Sequence, residues 1–224
     1  MPAFGSKGFT RLIKTLLWPL CLAPLLWLGL GAFELLGFNL GANPVEKLLH
    51  ELGKWGLKFL LLTLAITPLR YWTGWHWLVT FRRLLGLFAF FYLFLHFLVY
   101  IVLDRYLDFS GLLEDIVERP YITLGMTGLL LLLPLALTST RGWMRRLGRR
   151  WKKLHRLVYA SAILGVWHFY WQVKLDTLEA TVYALILAAL LLARIVHSRR
   201  KAARIQVRSE TLLPEDSGGA PLRR

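Results

Sequence analysis

The sequence predicts an all-α integral membrane protein, six transmembrane helices in one bundle with both termini cytoplasmic. Three observations carry this expectation. The 224 residues are 56% hydrophobic and only 18% charged, with a mean hydropathy of +0.50. Long uncharged windows reach the roughly 20 residues needed to cross a bilayer core. The 28 Lys and Arg, set against 13 Asp and Glu, are unevenly divided among the loops between those windows. A greasy chain of this kind is read first as a membrane protein, and its positive charge is not read first as a nucleic-acid footprint. Its one cysteine, Cys21, excludes intramolecular disulfides, a CxxC redox pair, a zinc ribbon and covalent haem attachment through CxxCH. Any metal is therefore held by other ligands.

The first window, 15–36, contains Pro19 and Pro24, which neighbouring helices tolerate in a membrane. Lys7, Arg11 and Lys14 precede it as in a signal peptide, but the run is long and lacks an A-x-A cleavage site, so a retained anchor is expected. The second window is 45–69. The third, 84–103, holds one ionisable residue, His96, and the fourth, 121–140, holds none. Windows 154–173 and 178–196 complete the six. The expected division is a cytoplasmic segment 1–14, a membrane domain 15–197 and a basic tail 198–224, whose Pro214, Ser217, Gly218, Gly219 and Pro221 read as disordered. No internal repeat or Gly-rich phosphate loop is visible, and no nucleotide-binding domain follows the sixth window.

Orientation follows from the positive-inside rule. On one side lie Lys7, Arg11 and Lys14, then Arg70, Arg82 and Arg83, then eight basic residues within 141–156 and eight more from Arg194 onward. Only Glu210, Glu215 and Asp216 oppose them there. Six basic residues, Lys47, Lys54, Lys58, Arg105, Arg119 and Lys174, share the other side with ten acids. The basic side is thus expected to be cytoplasmic, facing anionic lipid headgroups. Trp72, Trp75, Trp77, Trp143 and Trp151 fall near that interface, and Trp167 and Trp171 near the outer one.

Ionisable residues inside a spanning helix are costly and mark function. His96 lies seven residues from the outer end of the third window and His168 five from that of the fifth. Both helices run outward, so the two imidazoles arrive at similar depth, suited to gripping one flat cofactor from both sides. Haem iron accepts two such neutral imidazoles, and filling both axial positions favours electron transfer over oxygen binding. The plainer alternative is a histidine that hydrogen-bonds a neighbouring helix. His155, 13 residues before His168, falls about 20 Å away along a helix and some 140° around it. It is either a contact to a second haem or cofactor near the inner face, with Arg82, Arg83, Lys152 and Arg156 available for propionates, or a solvated interfacial histidine. His50 belongs to a polar stripe with Lys47, Glu51, Lys54 and Lys58; it contacts a cofactor or begins an interfacial helix. His76 and His197 read as interfacial.

Several segments carry a family resemblance: GKWGLKFLLLTLAITPL (53–69), RRLLGL (82–87), RPYITLGM (119–126), LALTST (135–140) and RRLGRRWKKLHRLVYASAILGVWHFYWQVK (145–174). They resemble the haem-binding membrane subunit of the bacterial periplasmic protein-methionine-sulfoxide reductase system, the MsrQ family, within the ferric-reductase-like transmembrane group. The LGxRWxxLHRLVY stretch with a histidine 13 residues further on is the specific part. The resemblance implies a b-type haem protein of the inner membrane, with the family's haem-associated histidines falling on His96, His155 and His168. It further implies FMN, electrons drawn from the quinone pool or a cytoplasmic flavin reductase, and a periplasmic molybdopterin partner that reduces methionine sulfoxide in oxidised proteins. Oxidases of the wider group carry paired histidines on both helices, whereas the third window here has His96 alone.

The leading expectation is an electron conduit whose substrate chemistry belongs to the partner. One rival is a direct metal-chelate reductase at the outer face. Another, of a different class, is a haem-free transporter or assembly protein whose histidines line a proton or metal path.

Overall fold

The computed structural model describes residues 5–173 and 177–211, all of its regular structure helical. Helix α1, Lys7–Ala32, starts at Ser6, whose hydroxyl accepts from Phe9 N at 3.2 Å. Its internal Pro24 has no amide to continue the ladder, and beside it the neighbouring α3 bonds to the α1 backbone. The Tyr92 hydroxyl accepts from Leu25 N at 3.1 Å and donates to Cys21 O at 2.8 Å, joining both halves of an i, i−4 pair. Helix α2, Pro44–Thr73, is framed by Asn43 as N-cap, proline at its first turn and Gly74 in the left-handed conformation that ends it. It is the most enclosed helix, with Leu52, Leu60 and Leu64 at the centre of the core.

Helix α3, Val79–Val99, packs along α2 and passes into a π-helical turn at Tyr100–Asp104. The short α4, Phe109–Glu118, follows, capped by Asp108. Buried Asp115 ties this region together. It receives the Tyr100 hydroxyl, pairs with Arg105, and meets Arg119 Nε at 3.2 Å. Helix α5, Pro120–Leu137, then returns through the bundle. Two short helices, α6 (Arg141–Leu147) and α7 (Arg149–Leu154), carry the densest basic cluster and are separated by Gly148 at φ 46°. Helix α8, Leu157–Gln172, packs on α5, and α9, Leu178–Thr211, closes against α2 and α8.

Large apolar side chains cover the outer faces of the long helices, among them Leu20 and Leu26 on α1 and Leu185 and Leu192 on α9. Water would disfavour such a surface, whereas lipid tails solvate it. Among the described residues, α1, α2, α3 with its π turn, α5 and α9 are long and apolar enough to cross a membrane. The fold is thus an all-α, multi-span membrane bundle. The window expected at 154–173 is shortened because the chain turns at His155 and Arg156 after a run of charges, leaving 16 residues in α8. At 1.5 Å per residue that is about 24 Å against roughly 30 Å of hydrocarbon. The last helix runs well beyond the expected Val196; residues 212–224, the end of the expected tail, lie outside the described residues, as do Lys174 and Asp176.

Candidate functional site

His96 sits near the end of α3 and His168 near the end of α8. Their ring centroids are 6.2 Å apart at an interplanar angle of 74°. One device orients both rings. His96 Nδ1–H donates to the Leu49 carbonyl of α2 at 2.9 Å, and His168 Nδ1–H donates to the Tyr121 carbonyl of α5 at 2.7 Å, each carbonyl 47 residues before its histidine. A carbonyl only accepts, so Nδ1 holds the proton and Nε2 keeps its lone pair. Histidine ligands of metals are prepared in this way.

Glycine makes the close approach of each ring possible. A Cβ at Gly53 would lie 3.1 Å from His96 Nδ1, and one at Gly125 would lie 2.9 Å from His168 Nδ1. Gly53 is one turn beyond Leu49, and Gly125 one turn beyond Tyr121. A further pair, Gly56 and Gly128, allows α2 to meet Leu93 of α3 and α5 to meet Leu164 and Gly165 of α8. Carbonyl, glycines and histidine recur at a constant interval of 72 residues, being 168 less 96, 121 less 49, 125 less 53 and 128 less 56. The bundle therefore contains two like helical pairs, α2 with α3 and α5 with α8, each presenting one imidazole. The sequence reading saw no internal repeat; the geometry reveals one.

A metal atom bonded at about 2 Å to a nitrogen of each ring would hold the centroids roughly 6 Å apart, close to the separation present. Among the described residues no group of three or more His, Cys, Asp and Glu is placed to hold a metal ion. Two imidazoles leave the remaining coordination positions to a ligand that brings its own donors, as a haem macrocycle does. The donor set fits that group.

One turn beyond the rings, the Gln172 side-chain amide donates to His50 Nε2 at 2.7 Å, joining α8 to α2. Lys54 bridges Glu179 of α9 at 2.9 Å and Glu51 at 3.6 Å, and Lys47 meets Glu51 at 3.5 Å. The polar stripe of α2 is thus an ion-paired seam beside the histidine pair. His155 lies apart from it. The Thr138 hydroxyl donates to Pro134 O at 2.6 Å, so at 3.2 Å it accepts from His155 Nε2–H, while Trp151 stacks on the ring at 3.9 Å. Ser161 and Gly165 serve helix packing: Ser161 Oγ donates to Gly128 O at 2.8 Å, and Gly165 faces Leu57. Sequence reasoning singled out the histidines but missed Gly53, Gly125 and the two carbonyls. A glycine followed by a second three residues later, in windows two and four alike, was the available signal.

A multi-span helical bundle in which two helices each deliver one carbonyl-oriented imidazole defines a class of membrane protein, and residues 52–166 match the family described as ferric reductase like transmembrane component. Three relatives bear the description protein-methionine-sulfoxide reductase heme-binding subunit MsrQ. That of Rhodospirillum rubrum is 50% identical over 196 residues, covering 87% of this chain and 93% of the relative. The Caulobacter vibrioides protein is 48% identical over 200 residues (89% and 94%), and that of Xanthomonas euvesicatoria 48% over 207 residues (89% and 95%). No solved structure matches the chain. The chain belongs to the MsrQ family, within the ferric-reductase-like transmembrane proteins. It is a multi-pass protein of the bacterial inner membrane.

Proposed function

We propose that this chain is a haem b electron-transfer subunit. It passes electrons from the quinone pool, or from a cytoplasmic flavin reductase, to a periplasmic molybdopterin enzyme that repairs methionine sulfoxide in oxidised proteins. The observation carrying this reading is the 6.2 Å pairing of His96 and His168, each with Nδ1 fixed by a backbone carbonyl and Nε2 free. His96 and His168 would hold the haem, which would supply one-electron transfer. The residues do the remaining work: Leu49 O and Tyr121 O set tautomer and ring angle, and Gly53 and Gly125 let the helices close around the rings. The apolar side chains of α2, α3, α5 and α8 keep bulk water away.

Both termini are cytoplasmic in this reading, α8 is a crossing and brings the total to six, and the acid-rich end with the histidine pair faces the periplasmic partner. The basic excess at the opposite end supports that placement. His155 is assigned to a second, inner cofactor contact, since Trp151 and Thr138 hold it at the basic end. FMN is the second carrier, by resemblance, with no residues assigned.

The test is a reduced-minus-oxidised absorption spectrum of the purified protein, with His96→Ala, His168→Ala and His155→Ala alongside. We expect b-type bands in the parent, their loss in the first two variants, and a lower haem stoichiometry in the third. Absence of haem bands from the parent overturns the function, and normal haem content in both His96→Ala and His168→Ala overturns the ligand assignment.

A further inference from the structure

At the basic end of the bundle, far along the helices from the histidine pair, α2, α3, α8 and α9 surround a cavity of about 620 Å³. This falls within the roughly 300–1,000 Å³ of small-molecule sites. Three guanidinium groups line it, Arg70, Arg82 and Arg194. Arg194 is held in place rather than free: one terminal nitrogen donates to the Tyr159 hydroxyl at 2.6 Å and the other to the Leu64 carbonyl. Its Nε is buried and has no hydrogen-bond partner. Among the described residues no carboxylate lines the cavity. The sequence contains no Asp or Glu from 52 to 103, from 120 to 175, or from 180 to 209, the stretches that supply every wall of the cavity. The remaining wall is mixed: Thr67, Tyr71 and Ser198 add polar groups, and Val79, Leu191 and Ile195 form an apolar side on which Val79 and Ile195 are exposed.

Clustered cations around an orphan buried donor call for an anion, because guanidinium pairs best with oxyanions through directed hydrogen bonds. The apolar side, open to lipid, calls for acyl chains. We propose that this cavity is a binding site for the phosphate headgroup of an anionic membrane phospholipid, gripped by Arg70, Arg82 and Arg194 with its chains along Val79 and Ile195. Basic pockets between helices at the cytoplasmic leaflet bind such headgroups in other membrane proteins. The site depends on the proposed orientation only for which leaflet supplies the lipid. It does not depend on haem.

The test uses the full-length protein in nanodiscs of phosphatidylcholine containing a minor fraction of phosphatidylglycerol, with the retained lipid counted by native mass spectrometry. The parent is expected to retain phosphatidylglycerol in preference to phosphatidylcholine. Each of Arg194→Gln and Arg82→Gln should weaken that retention roughly fivefold, whereas Arg145→Gln, a basic residue of α6 outside the cavity, should leave it unchanged. Equal retention by the parent and both cavity variants overturns the proposal. So does an equal loss in Arg145→Gln, which would mean diffuse surface attraction. A third arm offers glycerol phosphate without anionic lipid; saturation of the site by this soluble ester at concentrations that displace phosphatidylglycerol would assign it to a free phosphate and overturn the lipid source. Haem bands recorded on the same samples separate failure of this site from failure of the electron-transfer reading, and their persistence in the variants shows that the bundle has folded.

Discussion

The α2–α3 pair and the α5–α8 pair solve one problem with the same three parts, and their differences show which parts matter. Each positions a histidine by a carbonyl 47 residues earlier and a glycine one turn beyond that carbonyl. Away from those positions they diverge. Leu93 on α3 corresponds to Gly165 on α8, buried Tyr92 to Leu164, and Ala89 to Ser161. In the first pair a Cβ at Gly56 would meet both the Leu93 side chain and, at 3.1 Å, its backbone N. In the second a Cβ at Gly128 would meet nothing nearer than 3.6 Å, with Gly165 N at 3.9 Å, so the second pair is the looser at this position. Geometry at the imidazole is common to both, whereas the packing that delivers it is particular to each.

The largest effect that separates the two pairs is expected at Gly56. A Cβ there would lie 2.6 Å from Leu93 Cγ and 3.1 Å from Leu93 N, so both a side chain and the α3 backbone must yield. Overpacking of this kind costs about 1–3 kcal/mol. At the corresponding Gly128 the nearest atoms are 3.6 Å away, an ordinary contact. Gly56→Ala should therefore lower the thermal midpoint in detergent clearly, while Gly128→Ala should change it little. Equal shifts in the two variants would show that the pairs are packed alike after all.

Next comes the approach of glycine to imidazole. Gly125→Ala places a methyl 2.9 Å from His168 Nδ1, and Gly53→Ala places one 3.1 Å from His96 Nδ1. Each methyl competes with the hydrogen bond that sets the ring angle. Both variants should retain less haem than the parent, Gly125→Ala the less of the two, with the Soret band reporting occupancy per chain. If Gly53→Ala is the more damaged, the α3 ring is the less tolerant partner and the ranking by distance fails.

How far the sequence revealed this arrangement follows from where its information resides. His96 and His168 were legible because each is an ionisable residue in an apolar window, at a depth that could be counted from the charged loops. The helical pairs were not legible as a repeat. Their shared elements are two carbonyls, which any residue supplies, and glycines lost among leucines that recur in every window. Leu49 and Tyr121 perform one task with dissimilar side chains because only their backbone oxygen is used. The break at His155 was missed because the 13 residues from His155 to His168 were counted along one straight helix, whereas the chain turns at His155, where Trp151 stacks on the histidine ring and donates to Thr138 O. The cavity arginines were each counted as topology signals, but their convergence from separate helices required the fold.

A smaller difference lies at Ser161. Its hydroxyl donates to Gly128 O, a bond that Ala89 cannot make to the corresponding Gly56. Interhelical hydrogen bonds of this type average about 0.6 kcal/mol in membranes. Ser161→Ala should therefore destabilise the α5–α8 pair by about that amount in a denaturation titration, without altering haem content. A loss several times larger would mean that the second pair depends on this bond rather than on glycine contact.

The smallest effect is expected outside both pairs, at the α4 cap, which follows α3 and has no counterpart after α8 among the described residues. Asp108 accepts from Ser110 Oγ at 2.6 Å and from Gly111 N and Ser110 N at 3.1 Å, and these bonds hold its carboxyl below the ordinary value of 3.8. A folded-state pKa below the unfolded one means that the unfolded chain binds the proton more readily. The cap's contribution is therefore complete above pH 3.8 and is lost as the pH falls through the depressed value. Asp108→Asn keeps an oxygen acceptor but does not titrate. Hydrogen exchange of the α4 amides, corrected for its intrinsic pH dependence, should show protection in the parent falling toward that of Asp108→Asn as acid is added. Exchange of α3 and α8 amides should be the same in both proteins throughout. Equal loss of α4 protection in parent and variant would show that the Asp108 cap is not the source of the acid response.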